Sequence, residues 1–174
     1  MTFPNATTDH SWYDLFAGSL SIERNSLDYK QYPISGRKQF LVAQYVTGTE
    51  KYMPSPITDM GSFDRKVHSW LQMKGEWEQY KTISPYFNLG FMSELVLSSK
   101  NLMNNYTASV LQAPAFTPTP HSQIVFNEAF RANQYVAFGL SPILKFSKLL
   151  HFRLDMYGFA PLYEIKKEEV WNNN

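Results

Sequence analysis

Side chains that switch between apolar and charged at every second residue dominate this chain, and only an extended strand with two unlike faces fits that pattern. In residues 71–81, Leu71, Met73, Gly75 and Trp77 share one face, while Gln72, Lys74, Glu76 and Glu78 share the other. A helix would spread both sets around its circumference. Residues 149–156 repeat the pattern, with Leu150, Phe152, Leu154 and Met156 against His151, Arg153 and Asp155. In residues 86–98, Phe87, Leu89, Phe91, Leu95 and Leu97 oppose Asn88, Gly90, Glu94 and Ser98, with Met92 and Val96 as exceptions. In residues 135–146, Val136, Phe138, Leu140 and Leu144 oppose Ala137, Gly139, Ser141 and Lys145. Residues 12–23 and 38–48 read as weaker strands, and 161–170 as the start of a seventh.

The connections differ in length. Residues 83–85 and 146–148 read as tight turns, whereas 49–68 and 100–133 read as long loops. Short turns at one end and long loops at the other are what a transmembrane β-barrel shows. The stronger strands run to about 10–14 residues, enough to cross a bilayer on a tilt, where ~9–11 suffice. Composition, with 16% of residues aromatic and only 18% charged against ~25% charged in soluble domains, fits such a barrel and a soluble all-β domain alike. A net charge of +1 gives no field pointing to nucleic acid, and the absence of cysteine excludes disulfides, thiolate metal sites and thiol nucleophiles. No uninterrupted apolar run reaches a membrane helix's ~18 residues. The first ten residues lack the basic and apolar regions of an export signal, so an exported chain of this kind is expected to be a fragment or to begin after one.

The expectation is therefore all-β: an antiparallel meander forming part of a transmembrane β-barrel, with residues 1–174 as a single barrel segment of about six or seven strands. Too few strands are present to close such a barrel. The expected partners are the lipid bilayer and the remaining strands of the parent barrel, or other copies in a homo-oligomer, and no nucleic acid.

Two stretches resemble known families. Ser21-Ile-Glu-Arg-Asn-Ser-Leu-Asp28, then Tyr32-Pro-Ile-Ser-Gly36 and Lys38-Gln-Phe-Leu-Val-Ala-Gln-Tyr45, resemble an RN-x-x-D…P-x-x-G hairpin. That hairpin recurs in the barrel superfamily of outer-membrane assembly and secretion factors. Phe116-Thr-Pro-Thr-Pro-His-Ser-Gln and Phe126-Asn-Glu-Ala-Phe-Arg-Ala-Asn-Gln-Tyr-Val-Ala137 resemble the C-terminal barrel of patatin-like phospholipases from Bacteroidetes. The second resemblance implies a bacterial outer-membrane location and a wall that anchors, or helps export, a patatin-like hydrolase domain. It carries no catalytic residue over, because neither a G-x-S-x-G turn nor an Asp-Gly pair occurs in this chain. The superfamily often folds an Arg from its long loop into the lumen. The nearest match is Arg131, without the Gly and aromatic that usually follow.

The residues suggest a lumen charge cluster of Arg131, Glu94, Asp155 and Arg153, with Arg131 either meeting Glu94 or Asp155 or standing as an exposed loop cation. Glu76, Glu78, Glu94 and Asp155 could form an acid/base pair, but a solvated charged lumen with Lys74 and Arg153 as counter-charges is the simpler reading. His10, His68, His121 and His151 show no metal-ligand spacing, and His151 reads as a lumen histidine. No cofactor is implied. Trp12, Tyr13, Trp70, Tyr80, Tyr86 and Tyr157, near strand ends, read as interfacial girdles. The apolar groups of the 100–133 loop need shelter, so that loop is expected to fold back over or into the barrel mouth, with 123–127 extending a strand above the membrane. Two rivals remain: an assembly-factor or surface-antigen type barrel without a hydrolase, and a soluble β-barrel or sandwich binding an apolar ligand. In the latter, Phe152 and Leu154 would lie inside a closed core. The chain alone is expected to hydrolyse no p-nitrophenyl ester in detergent, since nucleophile elbow and dyad are both missing. Hydrolysis that disappears in His151→Ala would overturn this.

Overall fold

In a computed structural model, residues 10–53, 64–101, 103, 106–147 and 150–163 are described. The chain is all-β, as its alternation requires. Its strands are β1 (His10–Asn25), β2 (Gly36–Met53), β3 (Asp64–Ser84), β4 (Phe87–Ser98), β5 (Gln134–Lys145), β6 (His151–Arg153) and β7 (Met156–Tyr163). They form one antiparallel sheet in meander order, with β6 and β7 both paired to β5, and the sheet does not close on itself. A short helix α1 (Tyr106–Leu111) and a 3-10 turn (Glu128–Phe130) lie in the long connection between β4 and β5.

The alternation predicts which side chains point where. Leu71, Met73, Trp77, Leu150, Phe152, Leu154 and Met156 are all exposed on the outer face, while Glu76, Glu78, Arg153 and Asp155 are partly or largely shielded on the inner one. The two exceptions in β4 also have a cause. Val96 is fully buried and Met92 packs beside it, because the loop lies against the inner face at that point.

Several boundaries differ from expectation. β2 and β3 run on through 49–53 and 64–68, so the expected loop over 49–68 shrinks to the residues between Met53 and Asp64. The strand expected over 149–156 continues to Tyr163, leaving no fresh start at 161. Its interruption at Leu154 and Asp155 is local, for the β5 partners keep one register from Phe152 to Pro161. Opposite the gap stands Pro142, which has no N–H to donate to the ladder; the Leu154 N–H still reaches the Pro142 carbonyl at 3.1 Å. Residues 123–127 run through a turn and a bend into irregular chain, not a strand. Of the six girdle aromatics, only Trp12 (48% exposed) and Tyr86 (73%) lie outside. Tyr13, Trp70, Tyr80 and Tyr157 are on the inner face, a parity that their positions at strand ends obscured. The expectations for a turn at Lys148, strand residues 164–170 and shelter of Leu102 lie outside the described residues.

Residues 26–35 show why the hairpin motif has its residues. Asn25 Oδ1 accepts from the Leu27 N–H at 3.0 Å, and Asp28 Oδ1 accepts from the N–H groups of Tyr29, Ile34 and Ser35 at 3.0–3.2 Å. Gly36 sits at φ +101°, where a Cβ would overlap the Ser26 carbonyl. Partial burial would raise the pKa of Asp28, but the donated N–H bonds outweigh it and hold the carboxyl below its ordinary value of 3.8. The turn's contribution is thus complete above the ordinary carboxylate range and is lost as pH falls through the lowered value. Gly36→Ala should cost about 1–3 kcal/mol, read as a lower denaturant midpoint. Asp28→Asn should flatten the loss of stability on the acid side of pH 4; an unchanged acid limb would assign that loss to other carboxylates.

Candidate functional site

The inner face of β2–β7 carries the chain's concentration of partly buried charge. Across β3 and β4, Glu76 faces Glu94 directly, a like-charge pair that would push the strands apart. Lys74 lies between them, its ammonium 3.0 Å from Glu76 and 3.2 Å from Glu94. Lys38 of β2 takes the other Glu76 oxygen at 2.9 Å, and the Tyr135 hydroxyl of β5 donates to Glu94. Strand parity alone assembles this group, since Lys38, Lys74, Glu76, Glu94 and Tyr135 all point inward from adjacent strands.

A second group centres on Arg153 of β6. Its Nε donates to Asp155 at 2.6 Å, Nη2 to the Tyr80 hydroxyl at 2.9 Å, and Nη1 to the Pro33 carbonyl at 2.8 Å. The guanidinium also stacks near the Tyr80 and Tyr32 rings, 5.1 and 5.6 Å from their centroids. The Tyr80 hydroxyl donates to Glu78 at 2.7 Å, and Ser141 donates to Asp155. Asn88 reaches the Ile34 carbonyl at 2.7 Å. Together these bonds draw the β1–β2 turn inward across one end of the sheet.

The β4–β5 loop covers the face from the other end. Phe116 is buried against Val96, Tyr135 and Ala137 and stacks on Phe159 at 5.9 Å, while Met103 packs with Val46 and Trp70. Val110, Ala113 and Ala132 are buried as well, so the expected shelter of the loop is borne out for these groups. Leu111, Ile124, Val125, Phe126 and Phe130 remain exposed. Between loop and turn lies a cavity of about 320 Å³, lined by Lys38, Lys74, Glu76, Glu94, Tyr80 and Arg153 among others, with Thr117–Pro120 reaching into it.

Three of the four expected cluster residues stand on this face, though in two groups: Glu94 with Lys74, and Arg153 with Asp155. Arg131 does not join them and makes no ion pair among the described residues. Its Nη1 donates to the carbonyls of Leu111 and Ala113 at 2.9 and 3.0 Å, and its guanidinium lies 4.8 Å from the Phe126 ring. It thereby satisfies carbonyls that α1 leaves open at its C-terminus, a competing demand on the same guanidinium. His151 shares the side of β6 with Arg153 and is exposed there, whereas the buried inward histidine is His68. Buried His68 lies 2.7 Å from the fully buried Glu50, which also accepts from Tyr13 at 3.1 Å. This trio was overlooked because 49–68 read as a loop; extending the strand parity of Val46 and Trp70 by single turns of the pleat would have found it.

Lys100, just beyond β4, is buried on Trp70 (5.1 Å to the ring) and reaches Gln112 at 3.5 Å. Burial lowers its pKa to about 8. Among the described residues no group of three or more His, Asp or Glu is placed to hold a metal. Chemically, the inner face offers neutralised, hydrogen-bonded charge, suited to holding walls and loop together.

Arg153→Met should destabilise the fold by about 3–5 kcal/mol, because it strands a shielded carboxylate beside Tyr80 and frees the turn. Arg153→Lys should recover little of the loss, since one ammonium cannot span the three acceptors. A double-mutant cycle with Asp155→Asn, followed by denaturant midpoints, should give a coupling well above ~0.5 kcal/mol; additive effects would refute the hub.

Comparison with protein-family models, with curated proteins and with solved structures finds no match.

Proposed function

We propose that this chain is part of the wall of a bacterial outer-membrane β-barrel and that the wall anchors, or helps export, an attached patatin-like lipid hydrolase without taking part in its chemistry. The observation that carries the membrane reading is the outer face. Phe16, Leu20 and Ile22 of β1, Leu41 and Tyr45 of β2, Leu71, Met73 and Trp77 of β3, Phe91, Leu95 and Leu97 of β4, and Val136, Phe138 and Leu140 of β5 are all exposed there. The strand registers bring them side by side into one belt. An exposed apolar surface of that extent is far beyond the ~300–600 Å² patches of soluble monomers.

The belt also has edges. On β3 it runs from Val67 to Trp77, with Arg65 before it and Gln79 and Lys81 after it on the same face. Ten residue steps at ~3.3 Å, tilted by roughly 45°, rise about 23 Å, close to the ~25 Å apolar band of a membrane barrel. The charged face opposite suits a polar lumen, and the placing of Phe152 and Leu154 outside weighs against a soluble barrel with an apolar interior. Among the described residues no helix is long and apolar enough to cross a membrane. The hydrolase partner is supported by the resemblance of residues 116–137 alone.

Tryptophan fluorescence tests the membrane reading. A variant retaining only Trp77, exposed on the belt, should be strongly quenched in vesicles of bromine-labelled lipid, whereas one retaining only Trp70, buried on the inner face, should not. Equal quenching of both, or a chain that stays in solution without detergent, would refute it. Whether the encoding frame carries G-x-S-x-G upstream decides between the hydrolase-bearing barrel and one without it.

A further inference from the structure

On the inner face Lys38, Lys74 and Arg153 each stand beside a carboxylate. The outer face is charged differently. By strand parity it carries Arg24, Arg37, Lys51, Arg65 and Lys81, against Asp14 as the single carboxylate among the described strand residues. Asp14 pairs with Lys51 at 3.6 Å, towards the far end of β1. It is ten residues from Arg24, about 33 Å along the strand at ~3.3 Å per residue. Arg24 and Arg37, at the border of the apolar belt, are therefore not neutralised from this face. Gln39 stands opposite Arg24, which makes Arg37 the diagonal neighbour of Arg24. Such neighbours sit about 7–8 Å apart, within reach of long side chains, so the two guanidinium groups repel. Both residues are exposed, and neither guanidinium makes a hydrogen bond or ion pair among the described residues.

The surface around them has two parts. Towards the β1–β2 turn, a hollow of about 270 Å³ is lined by Arg24, Arg37, Ser26 and Gln79. On the belt side, a groove of about 480 Å³ runs over Ile22, Leu41 and Trp77, and Arg24 borders both. Glu76 also borders the groove, but its carboxylate is held on the inner face by Lys38 and Lys74. Gly75, opposite Leu41, adds no side chain there; a Cβ built on it would meet only the Leu41 side chain, at 3.9 Å. A phosphate in the hollow relieves the repulsion between the guanidinium groups through charge-assisted hydrogen bonds. A hydrocarbon chain continuous with it covers the apolar groove. One molecule with both parts is a phospholipid.

We infer that Arg24 and Arg37 seat the phosphate of an anionic glycerophospholipid whose acyl chain lies along Ile22, Leu41 and Trp77. This rests on the membrane-wall reading above. The test uses the full chain, retaining only Trp77, in phosphatidylcholine vesicles. A minor share of the lipid is brominated phosphatidylglycerol or, in a parallel sample, phosphatidylcholine brominated on the same chain. Phosphatidylglycerol should occupy the groove in preference by about fivefold per guanidinium engaged, read as stronger quenching of Trp77. Added salt should narrow the preference. Arg24→Gln with Arg37→Gln should abolish it, and Arg24→Lys with Arg37→Lys, which keep the charge, should retain part of it. Arg65→Gln, at the other border of the belt, should leave it unchanged. Equal quenching by the two lipids, or a preference that survives the loss of both arginines, would overturn the headgroup seat and leave the membrane wall standing. No quenching of Trp77 by either lipid would overturn the membrane reading itself.

Discussion

Arg153 ties together parts of the chain that lie far apart in sequence. Tyr80 belongs to β3, Asp155 to the interruption between β6 and β7, and the Pro33 carbonyl to the β1–β2 turn, 120 residues away in sequence. A guanidinium shielded to 11% exposure needs acceptors on several sides, and only curvature of the sheet brings these within reach at once. The inner face is thus bent around its charge. Lys74 applies the same logic between Glu76 and Glu94, where the carboxylates would otherwise repel across neighbouring strands.

Much of this was legible in the sequence, because a period of two allows only two faces. The facing of β3, β4 and β5 and the inward set of Glu76, Glu94, Arg153 and Asp155 follow from counting. What was not legible depends on tertiary partners. The strand parity of His68 and Glu50 looked like loop polarity, since each is tolerable inside only because of the other. The resemblance and the strand order point Arg131 to a lumen carboxylate, whereas two backbone carbonyls and an aromatic ring hold it. Tyr80, Tyr157 and Trp70 looked like interface anchors because composition says nothing about which side of a strand an aromatic occupies.

The loop over 100–133 is the part in which sequence and structure agree only halfway. Its apolar residues divide into a set that fills the inner face, led by Phe116 and Met103, and a set that remains uncovered. Val96 and Met92, which break the alternation of β4, belong with the first set. A local lapse in a two-faced strand therefore marked the place where the loop lands.

Two aromatic rings of the inner face lie flat across glycines on the paired strand, Tyr80 over Gly90 and Tyr157 over Gly139, so closely that a Cβ at either glycine would meet the ring. Each pair works as a key in a keyway. Sliding β4 by two residues against β3 would set Tyr80 over Asn88 or Met92, and neither has room for a ring. Alternation cannot distinguish registers two residues apart, because both keep every side chain on its proper face. The glycines make that distinction, and so choose one sheet from a family of slipped sheets that hydrophobicity alone would accept.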